Sequence, residues 1–433
     1  MPPRTRENIY AMAKDGKYVL VDRETGAWIR TNHVGFDVIK LSNGSRAQED
    51  IAGAVADLYN VPVDLIRDEV ERFIKDAIAE RILIDEDSAP VEDNADGINT
   101  VWFHVTDRCN LDCVYCYADS GTKNRDELSI QEINQTLAQI GEYEPYLVCI
   151  TGGEPLTRPD LSQIESHGLR LRLITNGTLI DEGSSRMISE RFSEIQVSLD
   201  GPDATTHNLM RPGGNFEDTM NAIRLLSKVD LDKRIISCTA TRLNYDRIPD
   251  MVSFAYNQGW SFFLSRLVPT GRGREEHYLN PSEYDALVRK CRQAYTKITE
   301  TKGFPVFPFF FQAACMPYSR VLLKTKHSNC GIGKSVISIS PSGDFYPCPL
   351  MHTSEYRTGS LRDAPFAELL ERTRRVLDFI SVEKLGECRT CHIKRICGGG
   401  CRALALHLGQ GLMGQDPYCS VTRRAIENAF WNV

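Results

Sequence analysis

The chain has 433 residues, 42% of them apolar, enough for two or three domains with sizeable cores. Its 51 Lys+Arg against 58 Asp+Glu leave a net charge of −7, which argues against nucleic acid or an anionic membrane as the main partner. No apolar run approaches the roughly 18 residues that span a bilayer, the opening MPPRTREN has no apolar secretory core, and 14 cysteines in such a chain read as metal or cluster ligands of a cytoplasmic protein, not as disulfides.

Residues 1–84 read as a small front domain. Short β-type runs at 17–21 and 27–31 flank Glu24-Thr25-Gly26, a hairpin pattern. Residues 47–59 place Ile51, Val55 and Leu58 on one helical face, and residues 64–81 do the same with Ile66, Val70, Phe73, Ile74 and Ile78. Together with the LSNGS turn at 41–45, this resembles the PqqD-like domain, a winged-helix fold that recognises leader segments of ribosomal precursor peptides. DNA binding is the rival for a winged helix. Residues 1–90, however, hold 12 Lys+Arg and 17 Asp+Glu, a net charge of −5 where a DNA reader needs a basic face. A peptide that adds as a strand needs only an exposed sheet edge with pockets beside it. Residues 85–98, acidic with Pro and Gly, read as a linker. About 14 residues of flexible coil span about 20 Å, enough to pass on a tethered peptide and raise its effective concentration.

Over residues 99–305, apolar strand candidates at 100–106, 147–151, 169–175, 195–199, 235–241 and 262–268 alternate with helical patterns at 130–140, 181–191, 217–227 and 248–258. Such alternation predicts an α/β fold with a parallel sheet and right-handed crossovers. A closed eight-unit barrel takes about 250 residues; this stretch has about 200, so six units, a partial (β/α)6 barrel, fit better. Chemistry is expected at the C-terminal strand ends. Cys149, Cys238 and Cys291 fall on strands or a helix and read as small core residues.

After the first strand comes HVTDRCNLDCVYCY (104–117), with Cys109, Cys113 and Cys116 in a CxxxCxxC array. Three such thiolates can hold three corners of a [4Fe–4S] cluster and leave one iron without a protein ligand. Zinc is the alternative, but structural zinc takes four ligands, and the nearest fourth, His104, lies in the strand run. With Val114 and Tyr115 before the third cysteine, the motif resembles the signature of the radical S-adenosylmethionine (radical SAM) superfamily. The resemblance implies that the methionine amino and carboxylate groups chelate the open iron and that Tyr115 is among the residues meeting SAM. One electron then breaks the S–C5′ bond, giving a 5′-deoxyadenosyl radical that abstracts hydrogen from a substrate; the protein positions this chemistry.

The same resemblance assigns the later strand ends. Gly152-Gly153-Glu154-Pro155 matches the segment that binds the SAM amino group, and Asn176 lines the same mouth. Ser198 and Asp200 can hydrogen-bond ribose hydroxyls, the alternative being a turn or cap. His207 and Arg211 match an H-x-x-x-R segment of peptide and protein maturases, whose arginine meets the methionine carboxylate. Leu267 is placed to pack on adenine, the alternative being a core leucine.

Residues 306–433 hold a second constellation. Cys330, twelve residues, Gly343, four residues and Cys348 precede Cys388-x2-Cys391-x5-Cys397-x3-Cys401 and Cys419. This resembles the seven-cysteine SPASM domain. The resemblance implies two auxiliary [4Fe–4S] clusters, three in the chain altogether. The nearer would take Cys330, Cys348 and Cys401, with Cys315 or an open position as the fourth ligand. The farther would take Cys388, Cys391, Cys397 and Cys419. Structural zinc remains the alternative for CxxC pairs. Sulfatase maturases carry an aspartate where this chain has Pro349, and PqqE-type enzymes replace one ligand of the farther cluster by aspartate.

The sequence therefore points to a SAM-dependent maturase that grips the leader of a precursor peptide and modifies its core. A thioether from a peptide cysteine is the expected product; carbon–carbon crosslinking and epimerisation stay open. A flavodoxin or ferredoxin is the expected electron donor. The rivals are a maturase of sulfatase-maturase or PqqE-like type, and a non-enzymatic iron–sulfur or zinc scaffold.

Overall fold

The computed structural model describes residues 2–86, 88, 97–121, 126–302, 310–311 and 326–432. Most of the expected linker, and Cys315, lie outside them. Six parallel strands, Thr100–His104, Leu147–Thr151, Leu171–Thr175, Glu194–Ser198, Lys233–Ala240 and Ser261–Arg266, lie side by side in chain order. Alternation along each strand sorts its side chains. Val101, Phe103, Val148, Ile150, Leu173, Ile195 and Val197 pack with Ile133, Leu137, Ile188, Ile223 and Met251 of the returning helices in one apolar core. The opposite face is more polar: Trp102 stands beside Cys149, Cys149 beside Arg172, and Arg172 beside Glu194. Cys149, Cys238 and Cys291 are all buried, as expected.

The helices start where their caps dictate. Ser129 and Glu132 form a reciprocal capping box ahead of Ile130–Gly141, and Asp181 caps Glu182–Arg191. The sheet continues past the six strands. Val336–Ile339 pairs in parallel with the first strand of the six, and Asp344–Tyr346 folds back on Val336–Ile339 as an antiparallel hairpin. The C-terminal hairpin thus extends the barrel sheet instead of forming one of its own, because Ile337 and Ile339 continue the row of Val101 and Phe103.

The front of the chain forms a three-stranded meander, Ile9–Lys14, Lys17–Asp22 and Trp28–Asn32, followed by helices His33–Leu41, Gln48–Tyr59 and Arg67–Ala79. The first strand and the first helix have no counterpart in the periodicity reading. Within LSNGS, Asn43 Oδ1 accepts from the Ser45 amide at 3.0 Å, a side-chain-closed turn. Leu20 and Ile29 face these helices. Val19, Val21 and Trp28, on the other face, pack on Ile393, Ile396, Ile426 and Phe430 near the C-terminus. The Trp28 and Phe430 rings lie 4.9 Å apart, and Arg30 Nη1 donates to the Trp431 carbonyl at 2.8 Å. No helix among the described residues is long and apolar enough to cross a membrane. Removing the indole from this contact should cost about 3–5 kcal/mol. Trp28→Ala is therefore expected to speed amide hydrogen exchange across 393–397; unchanged exchange there would contradict the docking.

Candidate functional site

The expected site residues gather at the C-terminal ends of the six strands. The loop with Cys109, Cys113 and Cys116 follows the first strand and is tied down along its length. Cys109 N–H donates to Gly121 O at 3.0 Å, Asp112 N–H to Pro212 O at 3.1 Å, and Val114 N–H to Met210 O at 3.1 Å. Arg272 clamps it from beyond the sixth strand, its Nε donating to Cys113 O at 2.9 Å and its Nη1 to Ser120 O at 2.6 Å. A Cβ on Gly271 would lie 2.3 Å from Cys116 O, so only glycine fits there. Sequence reading missed Arg272 and Gly271, whose one signal was their place just past a strand end.

Asp200 is the hub behind this loop. Its side chain is fully buried. It accepts from Arg211 Nε at 2.6 Å, from the Thr239 amide at 2.8 Å and from the Tyr115 hydroxyl. Arg211 also bonds the Tyr115 hydroxyl, and its Nη1 lies 3.7 Å from Cys113 Sγ. The sequence picked out Tyr115, Asp200 and Arg211 separately as SAM contacts; the fold joins them in one network. Asp200 is thereby engaged with protein groups. Ser198 remains half-buried at the end of the fourth strand, beside Ser237. Leu267 is buried just past the sixth.

Glu154 is also fully buried. Its carboxylate accepts from Thr175 Oγ1 at 2.8 Å, the Asn176 amide at 2.7 Å and the Leu156 amide at 3.1 Å. Burial raises its pKa against those three bonds. Asn176 in turn donates to Asn110 Oδ1 at 2.9 Å. Gly152 and Gly153 serve the chain itself: added Cβ atoms would lie 2.4 Å from Thr106 O and 2.2 Å from Arg108 O. The GGE segment is pressed against the run leading to Cys109.

Burial dominates the thiols. It pushes Cys109 up to about 11 and raises Cys113, which Arg211 opposes. A buried thiol of this kind stays protonated at neutral pH unless a cation replaces its proton, as metal binding does. Among the described residues no group of three His, Cys, Asp or Glu converges tightly enough for a single metal ion. Cys113 and Cys116 stand near enough to Cys109 at the mouth to add to the rise of its thiol.

The C-terminal cysteines separate into the two expected sets. Burial raises Cys348, with Cys401 and Cys330 adding to it. Cys388, Cys391, Cys397 and Cys419 line one pocket. Gly398, Gly399 and Gly400 all have positive φ, and a Cβ on Gly398 would lie 2.6 Å from Asn329 O. Between the mouth and Cys348 lies an aromatic group that sequence reading did not assemble. The phenol of Tyr117 is raised by burial and then by Cys116, Cys348 and Cys149. His104, on the first strand and buried, has its ring 4.7 Å from that of His352. His352 stacks on Tyr346 at 4.3 Å and hydrogen-bonds Ser338 Oγ at 2.8 Å.

These residues fit the groups that the motifs imply. Cys109, Cys113 and Cys116 would hold a cluster with one open corner, and the two C-terminal sets would hold two more. Gly153→Ala should displace the run before Cys109 and lower iron content by about four per chain, leaving the C-terminal sets loaded; full iron content would contradict this. His207 gives a pH prediction. Burial, then Arg211, lowers its pKa to about 4, against about 6.5 unfolded. Its neutral form therefore contributes stability that is complete above pH 6.5 and is lost as pH falls towards 4, about 3 kcal/mol in all. His207→Gln should flatten the loss of urea-unfolding free energy between pH 7 and pH 5; an unchanged slope would refute it.

Comparison with known proteins agrees with this layout. The family pattern of coenzyme PQQ synthesis protein D (PqqD) matches residues 17–83, that of the radical SAM superfamily matches 103–255, and that of the SPASM iron–sulfur cluster-binding domain matches 330–392. The mycofactocin maturase MftC of Mycolicibacterium smegmatis is 28% identical over 330 residues, covering 73% of this chain and 81% of its own. The AdoMet-dependent heme synthase of Methanosarcina barkeri is 29% identical over 336 residues, covering 73% of this chain and 95% of its own. Among solved structures, Streptococcus suis SuiB bound to S-adenosylmethionine superposes with a TM-score of 0.62 at 15% identity, covering 96% of this chain and 99% of that one.

Proposed function

We propose that this chain, which carries PqqD, radical SAM and SPASM domains in that order, is a SAM-dependent, iron–sulfur enzyme that modifies a ribosomally made precursor peptide. The observation that carries the reading is the docking of the front sheet on the C-terminal cysteine domain of the same chain. Strand Trp28–Asn32 is an edge, pairing only with Lys17–Asp22 among the described residues. A leader added there as a further strand would tether its core within reach of the barrel mouth.

When bound, the cluster and SAM supply a 5′-deoxyadenosyl radical that takes a hydrogen atom from the peptide. The chain's own residues orient them. Cys109, Cys113 and Cys116 would hold the cluster; Gly152, Gly153, Glu154 and Asn176 would meet the amino end of SAM, Arg211 its carboxylate, Ser198 and Asp200 the ribose, and Leu267 the adenine. Asp200 and Tyr115 fix the Arg211 guanidinium. The nearer C-terminal set, Cys330, Cys348 and Cys401, with Cys315 or an open position as fourth, and the farther set, Cys388, Cys391, Cys397 and Cys419, hold the auxiliary clusters. A thioether from a peptide cysteine is the bond we assign, formed in the cytoplasm with a flavodoxin or ferredoxin as donor. The mycofactocin maturase relationship, and the likeness in fold to SuiB, which has also been solved bound to its precursor peptide SuiA, support peptide substrates; the heme synthase relationship supports a small-molecule rival.

Co-expression with a short candidate precursor, followed by mass spectrometry, tests the reading. A loss of two hydrogens is expected, with fragmentation locating the crosslink at a cysteine. Deleting residues 1–84 should abolish that product while SAM cleavage continues, and Cys113→Ala should abolish both. Undiminished modification without the front domain would overturn leader recognition.

A further inference from the structure

A buried ion pair stands between the two C-terminal cysteine sets, unused by the chemistry above. Arg266 ends the sixth barrel strand, and its Nη1 lies 3.5 Å from Asp416 Oδ2, with the two side chains only 6% and 2% exposed. The guanidinium also sits over the Tyr418 ring, 4.8 Å from its centre. Asp416 accepts from the Cys401 amide at 2.6 Å and the Tyr418 amide at 2.8 Å. It also lines the pocket of Cys388, Cys391, Cys397 and Cys419. A Cβ on Gly400 would come within 2.4 Å of its carboxylate, so the chain is shaped to bring Asp416 this close. One carboxylate therefore touches the backbone of a nearer-set cysteine and faces the farther set.

Asp416 acts on a cysteine of each set, whereas Arg266 acts on Cys401 of the nearer set and on Asp416 itself. Burial pushes Cys401 up to about 11; Arg266 opposes this, while Cys330 and Asp416 add to it. Burial, then Cys419 and Asp416, push Cys397 up to about 12. Lys394 and Arg423 also line the farther pocket, beside Glu387, and Arg402 acts on Cys388. Asp416 differs from these in bearing on both sets.

We propose that Arg266 and Asp416 are tuning residues that jointly set the reduction potentials of both auxiliary clusters. Reduction adds an electron, so a nearby guanidinium favours the reduced cluster and a nearby carboxylate the oxidised one. Burial keeps water from screening either effect. The proposal rests on the cluster assignment above, not on the peptide substrate.

The test is an EPR-monitored redox titration of the anaerobically reconstituted full-length protein without substrate, with iron counted for each variant. Asp416→Asn, which keeps the shape and an acceptor, is expected to raise the reduced-to-oxidised ratio of both auxiliary signals at least tenfold at fixed potential, ~59 mV for a one-electron couple. Arg266→Met should shift it the other way, and Arg266→Lys should leave it within about threefold of wild type. Full iron content with unmoved auxiliary potentials in Asp416→Asn, or movement of only one of them, would overturn the proposal. Iron loss in Asp416→Asn would make the carboxylate a scaffold for Cys401 and overturn it too. Absence of two auxiliary signals from the wild-type protein would defeat the cluster assignment, and with it this proposal.

Discussion

The site depends on the buried carboxylate of Asp200. It joins the cysteine loop through Tyr115, the fifth strand through the Thr239 amide, and the segment after the fourth strand through Arg211. A charge this deep is tolerated only with a full complement of partners, and loss of one partner of a buried pair typically costs about 3–5 kcal/mol. The cation it anchors reaches Cys113 Sγ at 3.7 Å. Asp200 thereby bears on both loop position and thiol electrostatics, alongside the clamp from Arg272.

The same economy of contacts governs the C-terminal half. Its hairpin extends the barrel sheet, and its last helix, Cys419–Asn432, receives the front sheet through Phe430. The farther cysteine pocket is thus bordered by the element that holds the front domain, since Cys391 and Cys397 pack against that same apolar cluster. The front sheet and two cysteines of the farther set share one apolar cluster, which holds them at a fixed separation.

Much of this was legible in the sequence. The six strands and four of the helices follow from runs of Val, Ile and Leu whose period changes between two and 3.6; the CxxxCxxC spacing marks the first cysteine set, and the SPASM resemblance implies how the C-terminal thiols divide into two more. Other features were not legible, for physical reasons. The strand Ile9–Lys14 carries exposed Lys14 and Ala13 and only one buried-type face, so its alternation is weak. Helix His33–Leu41 begins directly after a strand, capped by Asn32, with no breaker between them. The network that Asp200 forms with Tyr115 and Arg211 was hidden because these partners are remote from it in sequence. The close approach of Gly152 and Gly153 to the backbone of Thr106 and Arg108 was also hidden, because those residues lie far from them in sequence. Arg266, Arg272 and Asp416 carry no motif; only the assembled barrel shows what they face.

The central claim is that Cys109, Cys113 and Cys116 present a cluster with one iron left for SAM. Its most direct test is the EPR spectrum of the reduced, iron-replete protein before and after SAM is added. The account predicts that the signal of one cluster shifts on addition while the auxiliary signals stay where they were. Identical spectra with and without SAM would contradict it.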